Sequence, residues 1–149
     1  MSVPTLVRPL AEEEVERVGA VLGLARLYQG NGFYLVAWEN EEPLGHAYLA
    51  LTNPPELQDE QVRPEYRRRG VASALTLLAE ENARALGLDR LRLEVSTDNT
   101  AAQALYRKCG FVDIGVPLRH VQGTIMLRTG PIEVDDTLLT WEKPLAPEH

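Results

Sequence analysis

Arg63, Arg67, Arg68 and Arg69 crowd the stretch Val62 to Gly70. Beyond Gly70, Val71, Leu75, Leu78 and Leu86 recur at helical spacing, and Gly87 supplies a stop. The glycine therefore opens a helix. The first N–H groups of a helix have no intrahelical partner, and with the helix dipole they favour an anion. Gly70 and Ala72 are small enough for a phosphate to approach the backbone, and arginines beside the turn add charge-assisted hydrogen bonds. The chemistry these residues suggest is the binding of a phosphate-bearing ligand; on composition alone, a solvated basic loop explains them as well. The chain contains no G-x-x-x-x-G-K-[ST] and no G-x-G-x-x-G, so neither a P-loop nor a dinucleotide fingerprint is present.

Other groups could move protons. Asp59 and Glu60 lie in Leu57–Val62, which is short and polar for a strand. Alternation puts their side chains on opposite faces unless a bulge intervenes. Solvated carboxylates at a strand end are the plain alternative. Tyr106 belongs to a later helix, where Ala102, Leu105, Tyr106 and Cys109 also read as a buried stripe. Cys109 is the only cysteine and has no neighbouring histidine to activate it, so it reads as a small packed residue. His46, His120 and His149 show no metal-ligand spacing, and no metal is expected. His120 falls in an irregular loop and reads as a surface residue or as part of an acceptor pocket.

The elements that must position these groups are legible in outline. Thr5–Arg8 reads as a strand and Ala11–Leu24 as a helix with an acidic first turn. Phe33–Trp38 and Leu44–Leu51 read as a hairpin. Leu57–Val62, the helix from Gly70 to Leu86 and Leu91–Val95 form strand, helix, strand, which predicts a parallel pair with a right-handed crossover. Asp98 or Asn99 caps a helix running to Cys109. Phe111–Val116 and Thr137–Lys143 read as closing strands. Between them, Pro117–Asp136 is open, with room for a strand near Thr124–Arg128. The fold class is α/β (α+β): a mixed, mostly antiparallel sheet with a central parallel βαβ unit and flanking helices, in one domain over residues 1–149.

With 149 residues, 44% of them hydrophobic, the chain can bury one core. Its net charge of −7 disfavours binding to nucleic acid or anionic membrane. No apolar run is long enough to span a bilayer, and the N-terminus turns acidic where a secretion signal would be apolar, so a cytoplasmic location is expected.

Two stretches resemble one family. Arg67, Gly70 and Ala72 match its arginine-or-glutamine, glycine, glycine-or-alanine signature, and Val62-Arg-Pro-Glu-Tyr66 resembles the lead-in to it. Asn99-Thr-Ala-Ala102-Gln-Ala-Leu-Tyr106-Arg-Lys-Cys-Gly110-Phe111 resembles a second element of that family. Leu6–Leu10 followed by an acidic helix is similar to its N-terminus. Together these motifs resemble the GNAT N-acetyltransferases over roughly Leu6 to Gly115.

That resemblance implies an acyltransferase that moves acetyl from acetyl-coenzyme A to an amine by direct attack in a ternary complex. Pantetheine would lie against the backbone of Glu60, Gln61 and Val62, and pyrophosphate at the amides of Arg68, Arg69, Gly70, Val71, Ala72 and Ser73, with Arg67 in the same cofactor-binding turn. An amide near Glu60 would serve as oxyanion donor. Asn99 and Tyr106 would also touch the cofactor, with Tyr106 as acid and Asp59 or Glu60 as groups acting on the acceptor. The sequence departs from the pattern at Arg68, where relatives often carry glycine, and at Glu60, which replaces an apolar residue. Gln58 stands where some relatives carry a basic glutamate. The expected partner is a small-molecule amine or a peptide amine, cationic if the acidic residues Asp59, Glu60, Glu133, Asp135 and Asp136 steer it. A homodimer stays open, as does a coenzyme A-binding regulatory module without transferase activity.

Overall fold

The computed structural model describes residues 6–24, 31–127 and 130–146. In order, the elements are β1 (Leu6–Pro9), a 3-10 turn at Glu12–Glu14, α1 (Val15–Leu22), β2 (Gly32–Glu39), β3 (Glu42–Ala50), β4 (Glu56–Val62), a 3-10 turn at Pro64–Tyr66, α2 (Val71–Ala85), β5 (Arg90–Ser96), α3 (Thr100–Lys108), β6 (Val112–Asp113), β7 (Arg119–Leu127) and β8 (Gly130–Pro144). The strands form one sheet in the order β1-β2-β3-β4-β5-β8-β6, with β7 also on β8. The pair β4/β5 is parallel and the rest are antiparallel, as the strand-helix-strand pattern predicts.

One face of the sheet carries α2. Its buried stripe is Val71, Leu75, Ala79 and Ala83, packed on Leu35, Leu49, Leu57, Leu91, Leu93 and Trp141. Of the expected stripe, Val71 and Leu75 are buried, but Leu78 and Leu86 do not continue it. Leu78 is only partly buried and Leu86 is 54% exposed, because the helix ends at Ala85 and its alanines give the closest approach to the sheet. The opposite face carries α1, which buries Val18 near Val36 and Trp38. Gly23 caps α1 in the left-handed region, which stops the helix before Leu24.

Two further expectations need correcting. Phe111–Val116 pairs only at Val112 and Asp113. The region Pro117–Asp136 is not an open loop. Arg119 to Leu127 pairs residue for residue with Gly130 to Leu138 of β8, a longer hairpin than the strand expected near Thr124. Val121, Gly123 and Ile125 are half-buried and alternate with exposed His120, Gln122 and Thr124, a period-two pattern too short, and interrupted by glycine, to mark the whole strand in the sequence. Thr5, Arg128 and part of the loop expected between Leu24 and Gly32 lie outside the described residues.

Two irregularities shape the centre of the sheet. The β4/β5 ladder holds only Glu56 to Arg92 and Leu57 to Leu93, while β5 stays paired with β8 as far as Ser96. In the β3/β4 ladder, Tyr48 faces Gln58 but His46 faces Gln61, so Asp59 and Glu60 together stand opposite Ala47. This is a β-bulge, with Asp59 at φ +50°. Just beyond it, Gly45 passes so close to β4 that a Cβ on it would sit 2.6 Å from the Gln61 carbonyl oxygen. Gly45→Ala is therefore expected to push β3 from β4 and to lower unfolding free energy in urea by about 1–3 kcal/mol, the usual cost of overpacking.

Candidate active site

Past Leu57 and Leu93 the parallel strands part, and the gap between them is a cleft of about 300 Å³. Asp59, Glu60 and Gln61 line one wall and Ser96, Asn99 and Tyr106 the other. A second cleft, about 350 Å³, lies at the start of α2 and is lined by Val62, Arg67, Arg68, Gly70, Ala72 and Ser73. Val62, which ends β4, lines this cleft and Gln61 before it lines the other, so the two clefts lie side by side on that strand.

Gly70 is the N-cap of α2 at φ +78°, a left-handed conformation that glycine adopts without strain. It brings no side chain to cap the first-turn amides, which stay available to an anion. Arg68 is also left-handed, at φ +65°, which explains on backbone grounds why a glycine suits that position. The four arginines divide by role. Arg63 is paired with Glu42 and Arg69 with Glu39, and both guanidinium groups lie over the ring of Tyr66. Arg69 thus offers the turn its backbone rather than its charge. Arg67 and Arg68 border the cleft, with Arg67 Nε donating to the Val62 carbonyl at 3.3 Å.

The bulge decides where the two carboxylates go. Without it, Asp59 would share the face of Leu57, which packs toward α2, and Glu60 the face of Gln58. Instead Asp59 turns toward the α1 face, where the Tyr34 hydroxyl donates to it at 3.2 Å and His46 Nδ1 lies 4.0 Å away. Glu60 turns toward α2 and α3. It accepts from Thr76 Oγ1 at 2.9 Å and from the Tyr106 hydroxyl at 3.3 Å. The two acids lie on opposite faces, as alternation predicts, but each on the face alternation would have given the other.

Burial pushes the Glu60 carboxyl up to about 7, against the opposing bonds from Thr76 and Tyr106. Tyr106 is driven well above its ordinary value, first by burial and then by the charge of Glu60. Its ring stands edge-to-face on Phe111, with centroids 5.9 Å apart. Asn99 caps α3, its Oδ1 accepting from Ala102 N at 3.0 Å, and so fixes the register that carries Tyr106 to the cleft. Burial lowers His46 to about 4, leaving it neutral at pH 7.

Other expectations fare differently. Cys109 is partly buried and its thiol is raised by burial, in keeping with a packed, unreactive residue. His120 lies in β7 rather than in a loop, 2.9 Å from Asp135 and exposed. Of the late acidic residues, Glu133 pairs with Thr124 and Asp135 with His120 on the hairpin, while Asp136 accepts from Ser96 Oγ, at 2.7 Å, on the cleft wall. Among the described residues no group of three or more His, Cys, Asp or Glu is arranged to hold a metal, and no helix is long and apolar enough to cross a membrane. Sequence reasoning missed Tyr34, His46 and Thr76. The available signal was a polar residue on an otherwise apolar stripe: Thr76 and Glu80 on the buried side of α2, and His46 inside the buried strand β3.

Residues 5–111 match the model of the acetyltransferase (GNAT) family. The chain belongs to the GNAT family. It is 35% identical over 104 residues to the uncharacterized N-acetyltransferase YjgM of Escherichia coli (strain K12), covering 64% of this chain and 62% of that one. It is 38% identical over 80 residues to the mycothiol acetyltransferase of Corynebacterium glutamicum (strain R), covering 52% of this chain but 27% of that protein. The matches thus span less than two thirds of either curated relative. A Bacillus subtilis acetyltransferase solved in complex with CoA shares the fold, with a TM-score of 0.72 at 22% identity over 96% of this chain and 100% of that one.

In this GNAT domain His46 and Glu60 oppose each other in their effect on stability. His46 titrates near 6.5 when unfolded and about 4 when folded, so its contribution is lost as pH falls through that interval. Glu60 titrates near 4.5 unfolded and about 7 folded, so its contribution is lost as pH rises through that interval. Each displacement corresponds to up to about 3 kcal/mol. Glu60→Gln removes one side of this balance. Its urea midpoint is expected to fall more steeply than the wild type's as pH is lowered from about 6.5 to 4.5. A midpoint that tracks the wild type across that window contradicts a buried, raised Glu60.

Proposed function

We propose that this chain is an acetyl-CoA-dependent N-acetyltransferase acting on a small cationic amine. The observation that carries the reading is the adjacency of the two clefts on β4. One is lined by the first turn of α2 and by Val62, the other by Gln61 and Tyr106, so neighbouring residues of β4 border both. The residues suit acetyl-CoA along that path. The amides from Arg67 to Ser73, with Arg67 and Arg68, suit the pyrophosphate, since Gly70 leaves open space where a side chain would stand. The edge of β4 from Glu60 to Val62 suits pantetheine as an added strand, because β5 has already turned away. When bound, the thioester supplies an activated acetyl group.

The residues of the chain divide the remaining work. An amide at the bulge near Glu60 stabilises the charge that develops on the carbonyl oxygen. Asp59, held by Tyr34 beside neutral His46, faces α1 and draws the acceptor's proton away through water. Tyr106 gives its hydroxyl proton to the departing thiolate. Asp59 in the lining and the net charge of −7 favour a cationic acceptor.

Gly70→Glu puts a negative side chain where the pyrophosphate would sit. Calorimetry is expected to show lost acetyl-CoA binding with an unchanged circular dichroism spectrum; unchanged affinity removes the cofactor assignment. Tyr106→Phe keeps the ring and deletes the oxygen. General acid catalysis typically supplies ~10²–10⁴-fold, and water replaces part of it, so kcat is expected to fall at least about tenfold with little change in acetyl-CoA affinity. Thiol release with spermidine, lysine, an aminoglycoside and a peptide N-terminus reads both activity and acceptor preference. Binding of acetyl-CoA without release from any of them would leave a coenzyme A-binding module.

A further inference from the structure

Glu60 has a half-buried carboxyl with no part in the steps described so far. It faces inward from the bulge, between Thr76 of α2 and Tyr106 of α3. No cation is among the groups that act on it. Thr76 Oγ1 has one proton and two acceptors within reach, Glu60 Oε2 at 2.9 Å and the Ala72 carbonyl at 3.0 Å. It can thus serve either charge state of the acid. It donates to an ionised Glu60, and it turns to Ala72 when Glu60 is neutral.

The Tyr106 hydroxyl has no such freedom. Its single proton points at Glu60 Oε1 when that carboxylate is ionised. Surrendering it to a thiolate would then leave a phenolate against a carboxylate in a buried site, which like-charge repulsion opposes. A neutral Glu60 reverses the bond: the carboxylic proton sits on the tyrosine oxygen, and the hydroxyl proton is free to face the cleft.

We propose that Glu60 is a positioning residue that acts through Tyr106, passing its own proton to the phenol oxygen as Tyr106 protonates the leaving thiolate. This rests on the transferase reading. The balance closes. The carbon–sulfur bond breaks, sulfur gains the Tyr106 proton, Tyr106 regains one from Glu60, and Glu60 is left as carboxylate. Solvent entering the cleft reprotonates it after the products leave, and the acceptor's displaced proton passes to water on the other face of the sheet.

The surrounding charges are consistent with this. On α2, Glu80 lies one turn beyond Thr76, but Lys143 of β8 and Arg84 meet its charge. On α3, Cys109 is an un-ionised thiol held up by burial. Within the cleft, Glu94 is paired with Arg119, Glu56 is raised by its own burial, and Asp59 is turned toward Tyr34. Burial therefore dominates at Glu60 and holds it near 7, where both forms are populated at neutral pH.

The test compares wild type and Glu60→Gln, assayed by thiol release from acetyl-CoA with the best acceptor among spermidine, lysine, an aminoglycoside and a peptide N-terminus. Taking the ratio of kcat values at each pH cancels the acceptor's own ionisation. The ratio is expected to be at least about tenfold at pH 6 and to approach one by pH 9, as wild-type Glu60 loses its proton. In a Tyr106→Phe background, Glu60→Gln is expected to cost less than about twofold more, since the two act in series. Thr76→Val removes a donor to the ionised form and is expected to shift the wild-type alkaline limb to higher pH. It also tests the relay if the glutamine variant does not fold. A ratio that does not change with pH, an independent tenfold loss in the Tyr106→Phe background, or an unmoved limb in Thr76→Val overturns the relay alone. A wild type that releases no thiol with any acceptor overturns the transferase reading and the relay with it.

Discussion

Two residues of β4 occupy the space opposite one residue of β3, and the site depends on that mismatch. A bulge bends its strand and shifts the side-chain alternation by one. Here the bend lies just past the end of the β4/β5 ladder, so the cleft begins where the two acids are sent to opposite faces. Glu60 is delivered to the helices and Asp59 to the opposite face. Gly45 lets β3 follow the distorted strand at a distance no side chain would allow. Regular pairing through residue 59 would reverse both carboxylates.

The electrostatics is organised by subtraction. A cluster of four arginines invites the reading that all four bind one anion, yet Glu39 and Glu42 with the face of Tyr66 occupy two of them. The remaining two border the amides of α2. On the acidic side, carboxylates near the cleft are paired or hydrogen-bonded, and Glu60 is the one whose partners are both neutral hydroxyls. That absence of a counter-charge, with burial, distinguishes it from Glu80, which is buried more deeply but clamped by Lys143.

Much of this was legible in the chain. Gly70 and Gly87 bracket α2, Asn99 caps α3, and the strand-helix-strand order predicted the parallel pair, because backbone chemistry at caps and turns is local. The faces of Asp59 and Glu60 were not legible, since a bulge depends on a partner strand distant in sequence. The fate of Arg69 was hidden for the same reason: Glu39 is 30 residues away. Thr76 and His46 were readable as polar intrusions into apolar patterns, but their meaning came only with the groups facing them. The β7/β8 hairpin was only partly legible because its period-two pattern, Val121-x-Gly123-x-Ile125 facing Ile132-x-Val134, is short and broken by glycine.

The two-pair ladder between β4 and β5 also divides the sheet into a four-strand sector built from β1 to β4 and a second sector built from β5 to β8. Few backbone hydrogen bonds cross that seam. Side chains hold it instead: α2 packs on both sectors, and Lys143 reaches from β8 to Glu80. Displacing one sector against the other would break few ladder pairs, because every ladder but β4/β5 lies wholly within one sector or the other. Local opening should begin at the amides bordering the seam rather than in the sheet at large. The walls of the cleft lie on the two sides of that seam, so the space between them is held by side-chain packing more than by backbone pairing.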